Sequence, residues 1–153
     1  MTDHQKQVLY RAASFCAYQE RSTKEVRQKM AEWELPEQDM GAVLEELTAQ
    51  NYLNEERFAR AFVGGKFRIK KWGRLKIKQE LKLKGVSNDM IQKGLQEIDG
   101  DDYVATLHDL VAKKAQSLRG ETPLATKQKL LRFALSKGFE SDLTWDAINA
   151  LGL

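Results

Sequence analysis

Between Lys66 and Lys84 the chain reads KFRIKKWGRLKIKQELKLK, nine basic side chains against one carboxylate, Glu80. Lys66, Arg68, Lys70, Lys71, Arg74, Lys76, Lys78, Lys82 and Lys84 offer ammonium and guanidinium groups at a density suited to neutralising a polyanion. If residues 74–84 are helical, they form a rod about 16 Å long along which several cations can follow one phosphate backbone. Four to six such contacts imply a logarithmic salt slope of about −3 to −5 on single strands. Trp72 and Phe67 lie among the charges and read either as stacking surfaces for bases or as core anchors. Lys127, Lys129, Arg132 and Lys137 are spaced to make a second basic face. No rigid set of base-reading side chains accompanies these groups, so the expected contact is to phosphate and independent of sequence.

Other chemistry is poorly supplied. His4 and His108 are the only histidines and Cys16 the only cysteine, which leaves no ligand set for zinc. Gly64-Gly65-Lys66 fails as a phosphate loop, because Arg60 stands at the first glycine position and Phe67 at the magnesium-binding hydroxyl. These two glycines instead suggest close helix packing or a kink. Asp99 to Asp102 lacks the terminal glutamate of a calcium loop and suits a helix start. Ser14, Ser22 and Ser117 have no nucleophile-elbow context. The expectation is a binding protein without metal, cofactor or catalytic function.

The charge is unevenly placed. Residues 1–55 carry 6 basic and 10 acidic side chains, residues 56–99 carry 12 and 5, and residues 100–153 carry 7 and 7. The formal net charge of +3 therefore conceals a middle segment of +7. An apolar fraction of 42% is enough for a core. No apolar run approaches the roughly 18 residues of a membrane span. The start, MTDHQKQVLYRAAS, has no secretory h-region, and the lone cysteine suits a reducing compartment, so the expected location is cytoplasmic.

The elements that carry these residues read as helices. Ser22 to Glu25 has capping-box form, followed by Val26 and Met30. Pro36 suits a first helical turn ahead of Met40, Val43, Leu44 and Leu47. Asn54 caps a helix through Phe58 and Phe62, and Ser87 one with Ile91, Leu95 and Ile98. Asp101 or Asp102 begins a helix with Tyr103, Leu107, Leu110 and Val111. Thr122-Pro123 begins another, and Ser141 opens the last, with Ile148. Leu75, Ile77, Leu81 and Leu83 alternate with period two, a strand pattern. Gln79-Glu80 are poor hairpin turn residues and the segment is rich in helix formers, so a helix is expected. Ile77 and Leu81 then share one side, while Trp72, Leu75 and Leu83 form a second that needs a partner.

The chain also resembles itself. Ile77, Leu81, Gly85, Val86 and Leu95 recur 53 residues later as Leu130, Ala134, Gly138, Phe139 and Ile148. Val26, Met30, Leu35 and Leu44 precede the middle set by 51, with Glu34 where the glycine would stand. The predicted fold is all-α, three tandem three-helix repeats over residues 1–54, 55–99 and 100–153, in an elongated or curved array. Its expected repeat core is Val26, Met30, Phe58, Phe62, Ile77, Leu81, Gly85, Leu95, Leu130, Gly138, Phe139 and Ile148.

Residues 54–98 resemble the regulatory protein RecX family. The resemblance rests on Glu55-Glu56-Arg57-Phe58-Ala59, Gly73, and the pattern formed by Ile77, Leu81, Lys84, Gly85 and Val86. It extends through Arg21-Ser22 and Asn51-Tyr52-Leu53 in the first repeat. In the third it continues through Leu130-Leu131-Arg132-Phe133 and Lys137-Gly138-Phe139. Asn54 stands where the family usually has aspartate, and Ala134 where a leucine is expected. The resemblance implies a monomeric, non-enzymatic modulator of the RecA recombinase in DNA repair, recombination and the SOS response. Such a modulator binds the RecA–DNA filament and suppresses its ATPase, strand-exchange and coprotease activities. It also implies single- and double-stranded DNA as sequence-independent partners. The residues alone equally describe a general single-stranded nucleic-acid-binding helical module with no recombinase partner. A helical scaffold for an acidic protein is a further alternative.

Overall fold

A computed structural model describes residues 1–153 as nine α-helices with no strand. They are α1 (Asp3–Tyr18), α2 (Thr23–Glu32), α3 (Glu37–Ala49), α4 (Glu55–Arg68), α5 (Arg74–Leu83), α6 (Asn88–Leu95), α7 (Gly100–Ser117), α8 (Pro123–Ser136) and α9 (Ser141–Asn149). The period-two segment is helical, as its propensities require. No helix is long and apolar enough to cross a membrane.

Local chemistry sets most helix starts. Thr2 and Gln5 form a reciprocal capping box on α1, a signal the sequence reading passed over. The Ser22 hydroxyl accepts the Glu25 N–H at 3.1 Å, and the Asn54 side chain accepts the Arg57 N–H at 2.9 Å. Thr122 caps α8 with Pro123 in its first turn. Two starts differ from expectation by a residue or two. Pro36 lies at the N-cap rather than inside α3. Asp99, rather than Asp101 or Asp102, caps α7, because its carboxylate accepts both of their N–H groups at 2.8 and 3.0 Å.

The internal repeat is written most clearly in the backbone. Glu34, Gly85 and Gly138 have φ of 62°, 78° and 95°, the left-handed region. The next residue in each case returns its N–H to the same kind of carbonyl, five residues back. Leu35 bonds to Met30 at 3.0 Å, Val86 to Leu81 at 3.1 Å and Phe139 to Ala134 at 3.1 Å. These are three copies of one helix ending, with a buried apolar residue just after the left-handed position. The first copy keeps the conformation without glycine, so Glu34 carries a Cβ where the backbone disfavours one. Nine of the twelve predicted core positions are buried. Phe62 and Leu95 are half-buried, and Gly85 is exposed because its role is conformational rather than volumetric.

The helices assemble into two compact units. One comprises Met1–Phe62 with Leu81–Gly94, the other Val63–Glu80 with Leu95–Leu153. Residues 55–99 thus contribute to both. In the first, α1, α2 and α3 pack together around Val8, Ala12, Val26, Met30, Val43 and Leu47. Gly94 lies so close to Ala59 that an added Cβ would sit 3.0 Å from its atoms. In the second, α7, α8 and α9 pack on one another, with Tyr103, Leu107, Val111, Leu130, Phe139 and Ile148 fully buried. The Tyr103 ring stacks obliquely between Phe67 at 5.8 Å and Phe139 at 5.1 Å.

Within that second unit α5 is capped by distant residues. It has no acidic residue in its first turn, and its first amides turn to the third repeat. The Gly73 N–H donates to the Lys137 carbonyl at 2.7 Å and the Leu75 N–H to the Gly138 carbonyl at 3.0 Å. The Arg74 N–H donates to the Tyr103 hydroxyl at 2.9 Å. The Tyr103 hydroxyl in turn donates to Glu140 Oε1, while Arg74 Nε donates to Glu140 Oε2 at 2.9 Å. Glu140 precedes α9 yet makes no side-chain cap there, since both its oxygens serve the start of α5. So close a docking requires glycine on both sides. A Cβ on Gly73 would lie 2.3 Å from the Gly138 backbone, and one on Gly138 2.4 Å from the Lys76 Cβ.

Three outcomes follow from this packing, each read by denaturant unfolding. Glu34→Gly is expected to raise stability by about 0.5–1 kcal/mol by relieving the left-handed side chain. Gly138→Ala should cost about 2–4 kcal/mol, against about 1 kcal/mol for Gly120→Ala. Gly120 has a similar φ of 91° but open space around it, so the difference isolates the contact with α5. Tyr103→Phe should cost about 1–3 kcal/mol at neutral pH by unpairing the Arg74 N–H and Glu140. Burial, and then the bond to Glu140, push the Tyr103 hydroxyl above its ordinary value of 10.0. Above that pH the unfolded chain releases a proton that the native state holds, so stability falls as pH rises. The advantage of Tyr103 over phenylalanine should therefore shrink above pH 10, and an unchanged gap would contradict the buried neutral phenol.

Candidate nucleic-acid interface

The cations of the basic stretch separate into two kinds. Some are held by the fold. Arg74 is committed to Glu140 and lies with its guanidinium carbon 4.1 Å from the centre of the Tyr103 ring. Its charge takes part in the seating of α5, with the side chain 38% exposed. Lys84 faces Glu25 at 3.8 Å and the Phe62 ring at 5.7 Å, both within the first compact unit. Lys66 and Lys76 place their ammonium groups 4.8 and 4.5 Å from the centre of the Trp72 ring. Trp72 is half-buried and engaged in cation–π contact with both. Phe67 is buried against Tyr103. The two aromatic residues of the stretch are thus both in contact with other side chains of the protein.

Others make no ion pair. Arg68, Lys70, Lys71 and Lys82 are exposed and Lys78 is half-exposed, and no carboxylate lies within bonding distance of any of them. Arg68 folds back along α4, its guanidinium resting where a Cβ on Gly64 would stand, at 2.3 Å. Gly64 therefore makes room for an arginine rather than for a neighbouring helix, and Gly65 has open space. Lys70 and Lys71 occupy the corner between α4 and α5, where Lys71 adopts φ 57°. Hydrogen bonds hold the backbone of that corner. Lys137 Nζ donates to the Lys70 carbonyl at 3.2 Å, and the Trp72 N–H donates to the Lys66 carbonyl at 3.2 Å.

The second basic face is thinner than its sequence suggests. Lys129 is paired with Glu121 at 2.6 Å, and Lys137 is spent on the Lys70 carbonyl. Arg132 is exposed and Lys127 half-exposed, neither with a carboxylate partner. Along α5, Ile77 and Leu81 are fully buried while Leu75 is 52% and Leu83 62% exposed, so the second apolar side of this helix faces solvent.

Sequence reasoning did not anticipate the Tyr103–Glu140–Arg74 network. Its partners are 29 to 66 residues apart and each has an ordinary local role, so no spacing rule brings them together. The Arg57 clamp was equally hidden: its guanidinium grips Glu20 and the carbonyls of Asn51 and Tyr52, at 2.5 to 3.2 Å. No group of three or more histidine, cysteine, aspartate or glutamate side chains has metal-binding geometry. Burial raises the Cys16 thiol above its usual range, so it is poorly suited to act as a thiolate.

Comparison with known proteins gives this geometry a family. Models of the first, second and third three-helix domains of RecX match residues 10–47, 54–95 and 101–148, in order. The regulatory protein RecX of Clostridium perfringens strain 13 is 38% identical over 124 residues, 80% of this chain and 58% of its own length. That of Lactobacillus johnsonii is 30% identical over 95% of this chain and 54% of its own. The chain therefore spans little more than half the length of these curated relatives. It spans 94% of the regulatory protein RecX of Prosthecochloris aestuarii, at 30% identity over 146 residues. The crystal structure of RecX from Lactobacillus salivarius shares the fold, with a TM-score of 0.91 over 99% of both chains at 22% identity. The chain belongs to the RecX family.

Proposed function

We propose that this chain is a non-enzymatic regulator that binds RecA–DNA filaments and inhibits the recombinase, ATPase and coprotease activities of RecA. The observation that carries this reading is the set of cations on α4, α5 and their connecting corner that the fold leaves without carboxylate partners. Arg74 and Lys84 are engaged within the fold, and these groups are not. Cations left in water on a rigid frame keep their charge available to a phosphate backbone. Family membership supplies the expected partner, since relatives carry the name regulatory protein RecX. The proposed site of action is the compartment that holds the chromosome and RecA.

The test is the DNA-dependent ATPase of the cognate RecA, titrated with this protein at two salt concentrations. The wild type is expected to suppress hydrolysis at micromolar concentration. Charge reversal at Lys70, Lys71 and Lys78 together should weaken suppression by tenfold or more without altering unfolding, because none of the three holds the fold together through an ion pair. Arg74 is left intact, since reversing it would break the contact with Glu140. An ATPase rate and filament length unchanged by wild-type protein would remove the reading. It would leave the chain as a nucleic-acid-binding module without a recombinase partner.

A further inference from the structure

The corner between α4 and α5 carries an apolar residue that the fold does not use. Ile69 is 78% exposed, among the most exposed of the large apolar side chains, and it stands between Arg68 and Lys70 with Lys71 next. Its backbone is not loose. The Ile69 N–H donates to the Gly65 carbonyl at 2.9 Å, and the Lys70 and Lys71 N–H groups to those of Lys66 and Phe67 at 3.1 Å. Lys137 holds the Lys70 carbonyl from the other side. A β-branched side chain on an ordered backbone has little rotamer freedom left to lose on binding. The corner thus presents an exposed apolar side chain on a hydrogen-bonded backbone, followed in sequence by two lysines without carboxylate partners. Trp72, the more obvious stacking group, is half-buried and in contact with Lys66 and Lys76.

We infer that Ile69 is a wedge that enters the base stack of a bound DNA strand while Lys70 and Lys71 hold the flanking phosphates. Charge complementarity selects the occupant, since an exposed apolar side chain beside two unpaired lysines matches an anionic backbone bearing apolar bases. Apolar side chains inserted between base steps, with basic residues on the backbone beside them, are an established means of unstacking nucleic acid. The inference deepens the proposed function by assigning this corner to DNA rather than to the recombinase. It predicts a sequence-independent contact that nevertheless separates DNA from other polyanions.

The experiment uses the full chain without RecA, so that failure of the wedge and failure of RecA regulation remain distinct. The probes are a single-stranded oligonucleotide carrying 2-aminopurine within an adenine run, and inorganic polyphosphate, which has charge but no bases. Wild-type protein should bind the oligonucleotide and raise 2-aminopurine fluorescence by unstacking it. Ile69→Ser should lose about five- to tenfold in affinity for the oligonucleotide, with its fluorescence rise at saturation abolished. It should keep wild-type affinity for polyphosphate and an unchanged salt slope. Ile69→Leu should restore the fluorescence rise. Lys70→Gln with Lys71→Gln should instead make the salt slope shallower by about 1.4 and weaken both ligands. Wild-type behaviour of Ile69→Ser on DNA, equal loss on both ligands, or no binding of DNA by the wild type would each overturn the wedge.

Discussion

The structure of the basic region depends on one docking event, the seating of the start of α5 on residues 137–140. A helix beginning with Arg74 and lacking an acidic first turn is poorly made by itself, since its first amides have no partner and its first charge has the wrong sign for the helix dipole. The chain segment at the end of α8 corrects both defects. It supplies two carbonyls to the amides of Gly73 and Leu75, and Glu140 to the arginine, with Tyr103 bridging. Gly73 and Gly138 allow the backbones to come close enough for this. The same few atoms fix the corner that holds Lys70 and Lys71.

This arrangement explains why the charged residues divide as they do. Positions that touch the docking segment have fixed roles, among them Arg74 on Glu140 and Lys137 on the Lys70 carbonyl. Lys84 is held elsewhere by Glu25, whereas Lys70, Lys71, Lys78 and Lys82 make no ion pair and stay solvated. Stability and surface potential are thus drawn from different members of one sequence run. A charge count alone treats Arg74 and Lys71 alike, although removing the first would unseat a helix and removing the second would only lower a field.

Much of the fold was legible because local rules set it. Ser22, Asn54, Ser87 and Thr122 cap helices as their side chains dictate. The repeat was legible through Gly85 and Gly138, whose left-handed backbone glycine tolerates best. Glu34 shows the limit of that signal, since the backbone conformation is kept while the residue that advertises it is gone. The site was legible as a run of charge but not as a surface. Which cations are paired depends on Glu25, which meets Lys84, and Glu140, which meets Arg74, each more than 50 residues away along the chain. Trp72 and Phe67 read as open to two roles because aromatic residues serve cores and bases equally well, and only the positions of Lys66, Lys76 and Tyr103 decide between them.

The central proposal is that the solvated cations Arg68, Lys70, Lys71 and Lys78, all within the second compact unit, meet a RecA–DNA filament. Lysine-selective acetylation read by mass spectrometry, on the free protein and on the protein bound to filaments, tests it directly. The account predicts strong protection of Lys70, Lys71 and Lys78 on binding, with Lys113 on α7 unchanged. Undiminished reactivity of Lys70, Lys71 and Lys78 in the bound state, with protection elsewhere on the chain, would contradict it.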